Sequence, residues 1–160
     1  MNHKAKIKAF LENTKRLNKR FGITPLLYGS LGLEYVTCED FSADDIDILI
    51  PEIYLRDKLE TFRRYLETLG YVLTDEHEHT FVKDGNSFSY ARLEELETFC
   101  GIKASDITMI SFDNVSFIIL SLEQYLSVYE KSLMDSYRIN VKEKKDIEKL
   151  TLIRSFINGQ

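Results

Sequence analysis

The chain has 160 residues, of which 44% are hydrophobic and 29% are charged, and its net charge is −5. This length predicts one domain with a sizeable core. The acidic balance argues against a broad nucleic-acid-binding surface, and so against a template-directed polymerase, because phosphate neutralisation needs clustered Lys and Arg. No apolar run approaches the ~20 residues of a membrane span, and no apolar signal core follows the basic N-terminus, so we expect a cytoplasmic protein.

In the first half of the chain, amphipathic helices alternate with short apolar strands. Apolar residues that recur at three- and four-residue steps indicate helices, and Gly22 and Gly70 follow two of them as expected at a helix C-terminus. Helices are predicted at residues 4–20, 31–36 and 56–69, and strands at 24–28, 45–50 and from 71.

The second half predicts two β-hairpins and then helices. Asp84-Gly85 lies between two alternating runs, which is a strong hairpin signal, and Asp113-Asn114 separates a second pair. A short helix is predicted at 93–99, and Ser121 with Gln124 forms a capping box for a helix that runs to about 134. The predicted strands are 80–83, 87–91, 107–112 and 115–120.

The chain shows no linker, repeat or low-complexity segment. We therefore expect a single domain over 1–160, with a core at about 22–120 and a C-terminal helical part at about 121–158. Cys38 and Cys100 lack the spacing of a metal or redox motif, which predicts two reduced thiols.

Two carboxylates lie on an otherwise apolar predicted strand, at Asp45 and Asp47. Side chains two residues apart in a strand share a face, so both are predicted to point the same way. Two adjacent like charges repel, and a cation between them would remove that cost. Oxygen ligands of this kind suit Mg²⁺, which takes one or two carboxylates plus substrate phosphates.

A Gly-Ser turn precedes these carboxylates. Gly29 would let the backbone approach a phosphate closely, and a helix that follows would present free N–H groups and the positive end of its dipole. The hydroxyl of Ser30 could add a donor. The alternative is a plain strand-to-helix turn.

Gly29-Ser30, a spacer of fourteen residues and Asp45-Ile46-Asp47 together resemble the signature of the nucleotidyltransferase superfamily, which includes DNA polymerase beta and the antibiotic nucleotidyltransferases. The resemblance implies an α/β (α+β) fold in which a mixed sheet is flanked by helices and followed by C-terminal helices. It also implies that Gly29 and Ser30 hold nucleotide phosphates and that Asp45 and Asp47 hold Mg²⁺ or Mn²⁺.

In that family a third carboxylate comes from a later strand. Here the corresponding predicted strand, residues 87–91, contains no acid. Glu78 on the preceding segment is the candidate third ligand or base. His79 could contact substrate or phosphate, and a zinc site with His77 would need further ligands that are not evident. The alternative for this segment is a solvated loop.

A second resemblance lies near the C-terminus, where Tyr137-Arg138, Lys142, Lys145-Asp146 and Leu150 are similar to the ending of many small nucleotidyltransferases. It implies phosphate contacts from Arg138, Lys142 and Lys145. The alternative is an exposed helix whose charges compensate one another.

The resemblance implies Mg²⁺-dependent transfer of a nucleoside monophosphate from an NTP to a hydroxyl of a small molecule or protein. The missing acid supports a second hypothesis, a degenerate nucleotidyltransferase fold that acts as a binding or regulatory module, for example in a toxin–antitoxin pair. A third hypothesis is an unrelated α/β domain in which Asp45 and Asp47 are ordinary surface carboxylates.

Overall fold

The computed structural model describes the backbone of residues 3–134 and 141–159 and the side chains of 3–133 and 147–159. Its helices are α1 (His3–Phe21), α2 (Gly29–Thr37), α3 (Leu59–Thr68), α4 (Glu95–Cys100), α5 (Leu122–Met134) and α6 (Val141–Asn158). Its strands are β1 (Leu26–Tyr28), β2 (Ile46–Ile50), β3 (Val72–Asp75), β4 (Thr80–Lys83), β5 (Asn86–Arg92), β6 (Thr108–Phe112) and β7 (Val115–Ile119). Short 3-10 turns lie at Glu52–Leu55 and Ala104–Asp106.

One mixed sheet of seven strands, in the order β3-β4-β5-β2-β1-β7-β6, organises these elements. In its centre β1 is antiparallel to β2 and parallel to β7, and β2 is parallel to β5. The end of β1 therefore lies beside the start of β2. This arrangement confirms the predicted α/β (α+β) class with a mixed sheet flanked by helices.

Each face of the sheet buries its own apolar cluster. On one face, Phe10 of α1 and Phe62 of α3 pack against the strand residues Leu27, Ile48 and Phe88. Full burial of a side chain of this size contributes about 1.5–3 kcal/mol. On the other face, residues of α4, α5 and α6 pack against β1, β2 and β7, and these residues are Leu96, Tyr125, Leu150, Leu26, Leu49 and Ile118. Because strand side chains alternate, Asp47 shares this second face with Leu49.

Local signals in the sequence predict several boundaries correctly. Both hairpins have two-residue loops, and Asp84, Gly85, Asp113 and Asn114 all have positive φ, as a type I′ turn requires. In the capping box, the Ser121 amide donates to the Gln124 side chain at 2.9 Å, and the Gln124 amide donates to Ser121 Oγ at 3.1 Å.

Among the described residues, both cysteines are free thiols, as predicted. The helices of residues 3–134 and 141–159 include none with the length and apolar character needed to cross a membrane.

Candidate nucleotide and metal site

The turn from β1 into α2 places the N-terminus of α2 at the end of β1, an inner strand of the sheet. Gly29 is the first residue of α2 and has a φ of +64°. The first N–H groups of a helix have no partner within it, and the helix dipole makes that end positive. This turn therefore has the geometry of an anion site, and it contains Gly29 and Ser30, the residues predicted to hold nucleotide phosphates.

Asp47 lies directly against this turn. It is paired in register with Tyr28, the residue before Gly29. A Cβ atom on Gly29 would overlap the Asp47 carboxylate and would lie 3.2 Å from the Asp47 Cβ. Only glycine permits this approach. Asp47 is half-buried, whereas Asp45 is exposed in the bend just before β2. The strand predicted at 45–50 begins at Ile46, so Asp47 lies on it whereas Asp45 immediately precedes it.

Lys149 is the cation that the structure places at the turn. Its Nζ donates to Ser30 Oγ at 2.8 Å and lies 5.5 Å from the centre of the Tyr129 ring. Arg138 lies outside the described residues, as do the side chains of Lys142 and Lys145. The sequence prediction missed Lys149, although it follows Lys145 by four residues, which is about one helical turn.

A cleft of about 290 Å³ joins these groups, and we call it the Lys149 cleft. Gly29, Ser30, Asp47 and Lys149 lie on its polar side, and Phe99, Tyr125, Val128, Tyr129 and others complete its lining.

Tyr125 of α5 fixes the floor of the Lys149 cleft. Its hydroxyl donates to the Leu27 carbonyl at 3.3 Å. A Cβ atom on Gly32 would overlap this hydroxyl and would lie 2.6 Å from the same carbonyl, so glycine is needed where α2 meets α5. Burial raises the pKa of Tyr125 well above its ordinary value, and negative charge at Tyr129, Tyr28 and Asp47 adds to that effect. The phenol therefore stays protonated and keeps its role as a donor.

Glu34 holds the loop that leads to the two aspartates. Its carboxylate is only 2% exposed and accepts hydrogen bonds from the amides of Phe41 and Ala43 at 2.9 and 3.0 Å. His3 Nδ1 lies 2.9 Å from the same carboxylate. Lys6 of α1 donates to the Asp44 carbonyl at 2.8 Å. The loop before Asp45 is thus fixed by α1 and α2 together.

Hydroxyl groups occupy the position next to Asp47 on the neighbouring strand. Ser89 of β5 is paired in register with Asp47, and its Oγ lies 2.8 Å from Thr80 Oγ1 on β4. No acid takes this place. Within the described part of the chain, no three His, Cys, Asp or Glu side chains gather closely enough to hold one metal ion.

Glu78 lies in the turn between β3 and β4, and its side chain is 68% exposed. With His77 and His79 it lines a second cleft, of about 670 Å³, which we call the Arg92 cleft. Burial lowers the pKa of His79 below its ordinary value, although Glu78 opposes that shift. The structure therefore places Glu78 at a different cleft from the one that Asp47 lines.

Comparisons with known proteins agree with this architecture. No protein-family model matches the chain. It is 38% identical over 150 residues to the uncharacterized protein YnaI of Bacillus subtilis (strain 168), an alignment that covers 94% of this chain and 96% of YnaI.

Two solved structures share its fold. The crystal structure of an antigenic nucleotidyltransferase-like protein from Paracoccidioides brasiliensis has a TM-score of 0.64 and 14% identity, with 93% of this chain and 75% of that chain covered. The solution structure of the antibiotic-resistance factor ANT(2'')-Ia has a TM-score of 0.52 and 13% identity, with 96% and 92% covered. The resemblance to the nucleotidyltransferase superfamily is thus confirmed at the level of the fold. The chain belongs to the same family as YnaI, and its fold is that of the nucleotidyltransferases.

Proposed function

We propose that this chain is a Mg²⁺-dependent nucleotidyltransferase that moves a nucleoside monophosphate from an NTP to a hydroxyl group of a small molecule or protein. The observation that supports it most is the convergence of three features in one cleft: the Gly29-Ser30 turn, Asp47 packed against Gly29, and Lys149 bonded to Ser30. In a metal–triphosphate complex, the anion site would hold the phosphates and the carboxylate would hold the metal ion.

The β- and γ-phosphates would lie at the N-terminus of α2. The backbone N–H groups at Gly29 and Ser30 donate there, and the ammonium group of Lys149 supplies a full positive charge. Lys149 would exchange its bond to the Ser30 hydroxyl for bonds to phosphate oxygens, which are stronger because both partners are charged.

The residues present fit one divalent cation. Mg²⁺ is commonly held by one or two carboxylates together with substrate phosphates and waters. Asp45 and Asp47 would supply the carboxylates, and Mn²⁺ accepts the same oxygen ligands. When bound, the ion would neutralise charge on the phosphates and polarise a phosphoryl oxygen.

In the proposed reaction the acceptor hydroxyl oxygen forms a bond to the α-phosphorus, and the hydroxyl proton passes to solvent water. The bond from that phosphorus to the bridging oxygen breaks, and pyrophosphate leaves with the electron pair. The chain's own contribution is positioning and charge neutralisation, which dominate phosphoryl transfer. Tyr125 and Gly32 keep α5 close to the turn, and Glu34 holds the loop that carries Asp45.

The direct test uses an NTP that is radiolabelled at the α-phosphate, with Mg²⁺ and with water as the acceptor. The proposal expects release of labelled nucleoside monophosphate and pyrophosphate, both dependent on the metal. Binding without any release would support the degenerate module described below.

Replacing Lys149 with Ala is expected to weaken NTP binding by about tenfold or more, because a hydrogen bond to a charged group contributes about 1.5–3 kcal/mol. Equilibrium dialysis with labelled ATP and Mg²⁺ measures the change. Lys103→Ala, at an exposed residue between α4 and β6, is the control and should leave the affinity unchanged. Equal affinities of the two variants would remove Lys149 from the site.

A second candidate function is a catalytically degenerate fold that binds nucleotide or a partner without turnover. Ser89 is the specific observation in its favour, since it lies next to Asp47 where a third carboxylate would complete the metal site. Turnover by the wild-type protein separates the two candidates.

Replacing Ser89 with Asp is expected to tighten Mn²⁺ binding by about tenfold, because adjacent strands lie about 4.8 Å apart and a third carboxylate adds charge to the ligand set. Titration of the Mn²⁺ electron paramagnetic resonance signal measures it. Ser111→Asp is a matched control: Ser111 also lies in a cross-strand hydroxyl pair, 2.9 Å from Ser116, but on the edge strand β6. The same Mn²⁺ affinity in both variants would show that Ser89 is not next to a metal ion. Turnover that appears only with Asp at 89 would identify the wild type as degenerate.

A further inference from the structure

The Arg92 cleft has no role in the mechanism above, yet it adjoins the Lys149 cleft. Tyr28 and Phe99 line both clefts. Tyr28 is also the register partner of Asp47. A molecule in the Arg92 cleft would therefore lie beside Tyr28, next to Asp47 and the proposed nucleotide site.

The floor of the Arg92 cleft is apolar. Leu49, Leu55, Ala91, Leu96 and Phe99 contribute to it, and Tyr28 adds a second aromatic ring. Its volume of about 670 Å³ lies within the range of small-molecule sites, which span about 300–1,000 Å³. Such a surface favours a ligand with a flat apolar part.

Acidic partners already neutralise the arginines of this cleft. Arg92 donates to Glu52 at 3.0 Å and is also paired with Glu95. Arg56 Nε lies 2.7 Å from Glu52. These pairs leave little charge available for an anionic ligand.

The charged side chains that line the cleft balance one another, and Glu52, which pairs with both arginines from outside the lining, adds one further negative charge. The lining has two arginines, Arg56 and Arg92, and two glutamates, Glu78 and Glu95. Burial lowers the pKa of His79, so its imidazole is neutral at pH 7. The cleft therefore matches neither a polycation nor a polyanion.

We propose that the Arg92 cleft binds the acceptor, and that this acceptor is an uncharged small molecule with a flat apolar part and a hydroxyl group. The inference rests on the proposed function, because an acceptor has meaning only where a nucleotide is transferred. It narrows the acceptor from a small molecule or protein to an uncharged small molecule.

The test measures binding of three probes that share one ring system and differ in charge: 2-naphthylethanol, 2-naphthylmethylammonium and 2-naphthoate. Nuclear magnetic resonance titration of the protein without nucleotide gives their affinities. The neutral alcohol should bind at least about tenfold more tightly than either ion, because burial of an unpaired charge against apolar side chains is costly.

Variants of Ala91 locate the binding. Ala91 is exposed in β5 and lines the cleft, so Ala91→Trp should fill it and abolish binding of the alcohol, while Ala91→Leu should weaken it. Ala104→Trp is the matched control, because Ala104 is also exposed but lines neither cleft, and it should bind like the wild type. Thermal unfolding shows which variants fold, and the smaller Leu substitution is informative if Ala91→Trp does not fold.

Tighter binding of the ammonium or the carboxylate probe would overturn the proposal, as would no binding of any probe, or alcohol binding that the Ala91 variants do not change. Binding of Mg²⁺–ATP is measured separately on the wild type. If the alcohol binds and Mg²⁺–ATP does not, the proposed function fails, while the Arg92 cleft remains a site for uncharged small molecules.

Discussion

Replacing Asp47 with Asn is expected to lower Mg²⁺-dependent release of pyrophosphate from an NTP by at least about 100-fold. The substitution keeps the size of the side chain and removes its negative charge. A bound metal contributes several kcal/mol of charge stabilisation, and each 1.4 kcal/mol corresponds to about tenfold in rate. Because Asp47 lies against Gly29, it is the carboxylate that would link the proposed metal to the proposed phosphate site.

Asp113→Asn is the control for this prediction. Asp113 is exposed in the hairpin loop between β6 and β7, and Asn tolerates its positive φ of 49°. This variant should keep the wild-type rate. If Asp47→Asn also keeps that rate, Asp47 does not hold the metal and the site lies elsewhere.

Replacing Gly29 with Ala is expected to lower the free energy of unfolding by about 2–5 kcal/mol and to abolish nucleotide binding. An L-residue at a φ of +64° costs about 1–2 kcal/mol, and an extra methyl group in a packed position costs about 1–3 kcal/mol. The methyl group overlaps the Asp47 carboxylate, so either Asp47 or the turn must move. Chemical denaturation measures the stability, and titration with Mg²⁺–ATP measures the binding.

Gly22→Ala separates the conformational cost of a positive φ from the steric cost of the overlap with Asp47. Gly22 has a φ of +67°, and a Cβ atom there would meet nothing within 4 Å. It should therefore lose only the conformational cost of about 1–2 kcal/mol and keep nucleotide binding. Equal losses of stability in the two variants would mean that Asp47 does not pack against Gly29 as described.

Most of the fold could be predicted from the sequence because local chemistry determines it. Asp-Gly and Asp-Asn have the φ preferences of tight hairpin loops, and Ser121 with Gln124 satisfies two amides of the same helix end. The same holds for the Gly29-Ser30 turn, where glycine provides the positive φ with which α2 begins.

The rest of the site depends on contacts that no local pattern encodes. Lys149 meets Ser30 across 119 positions of sequence, because α6 packs against the face of the sheet where α2 begins. Glu34 accepts hydrogen bonds from the loop after α2 because that loop folds back against it in the structure. In the sequence alone, Glu34 cannot be distinguished from any other acidic residue of a helix. Ser89 lies opposite Asp47 because β2 and β5 pair in parallel with this register. The sequence of either strand does not specify which residues of the other strand it will face.

We propose that Gly29, Ser30, Asp45, Asp47 and Lys149 form a metal-dependent nucleotide site. Calorimetric titration tests this with the wild type and the Asp45→Asn/Asp47→Asn double variant, each titrated with ATP, GTP, CTP and UTP in the presence and in the absence of Mg²⁺. We expect at least one nucleotide to bind the wild type in the presence of Mg²⁺, and we expect the double variant to lose that binding. Absence of binding of all four nucleotides at millimolar concentration would contradict the claim.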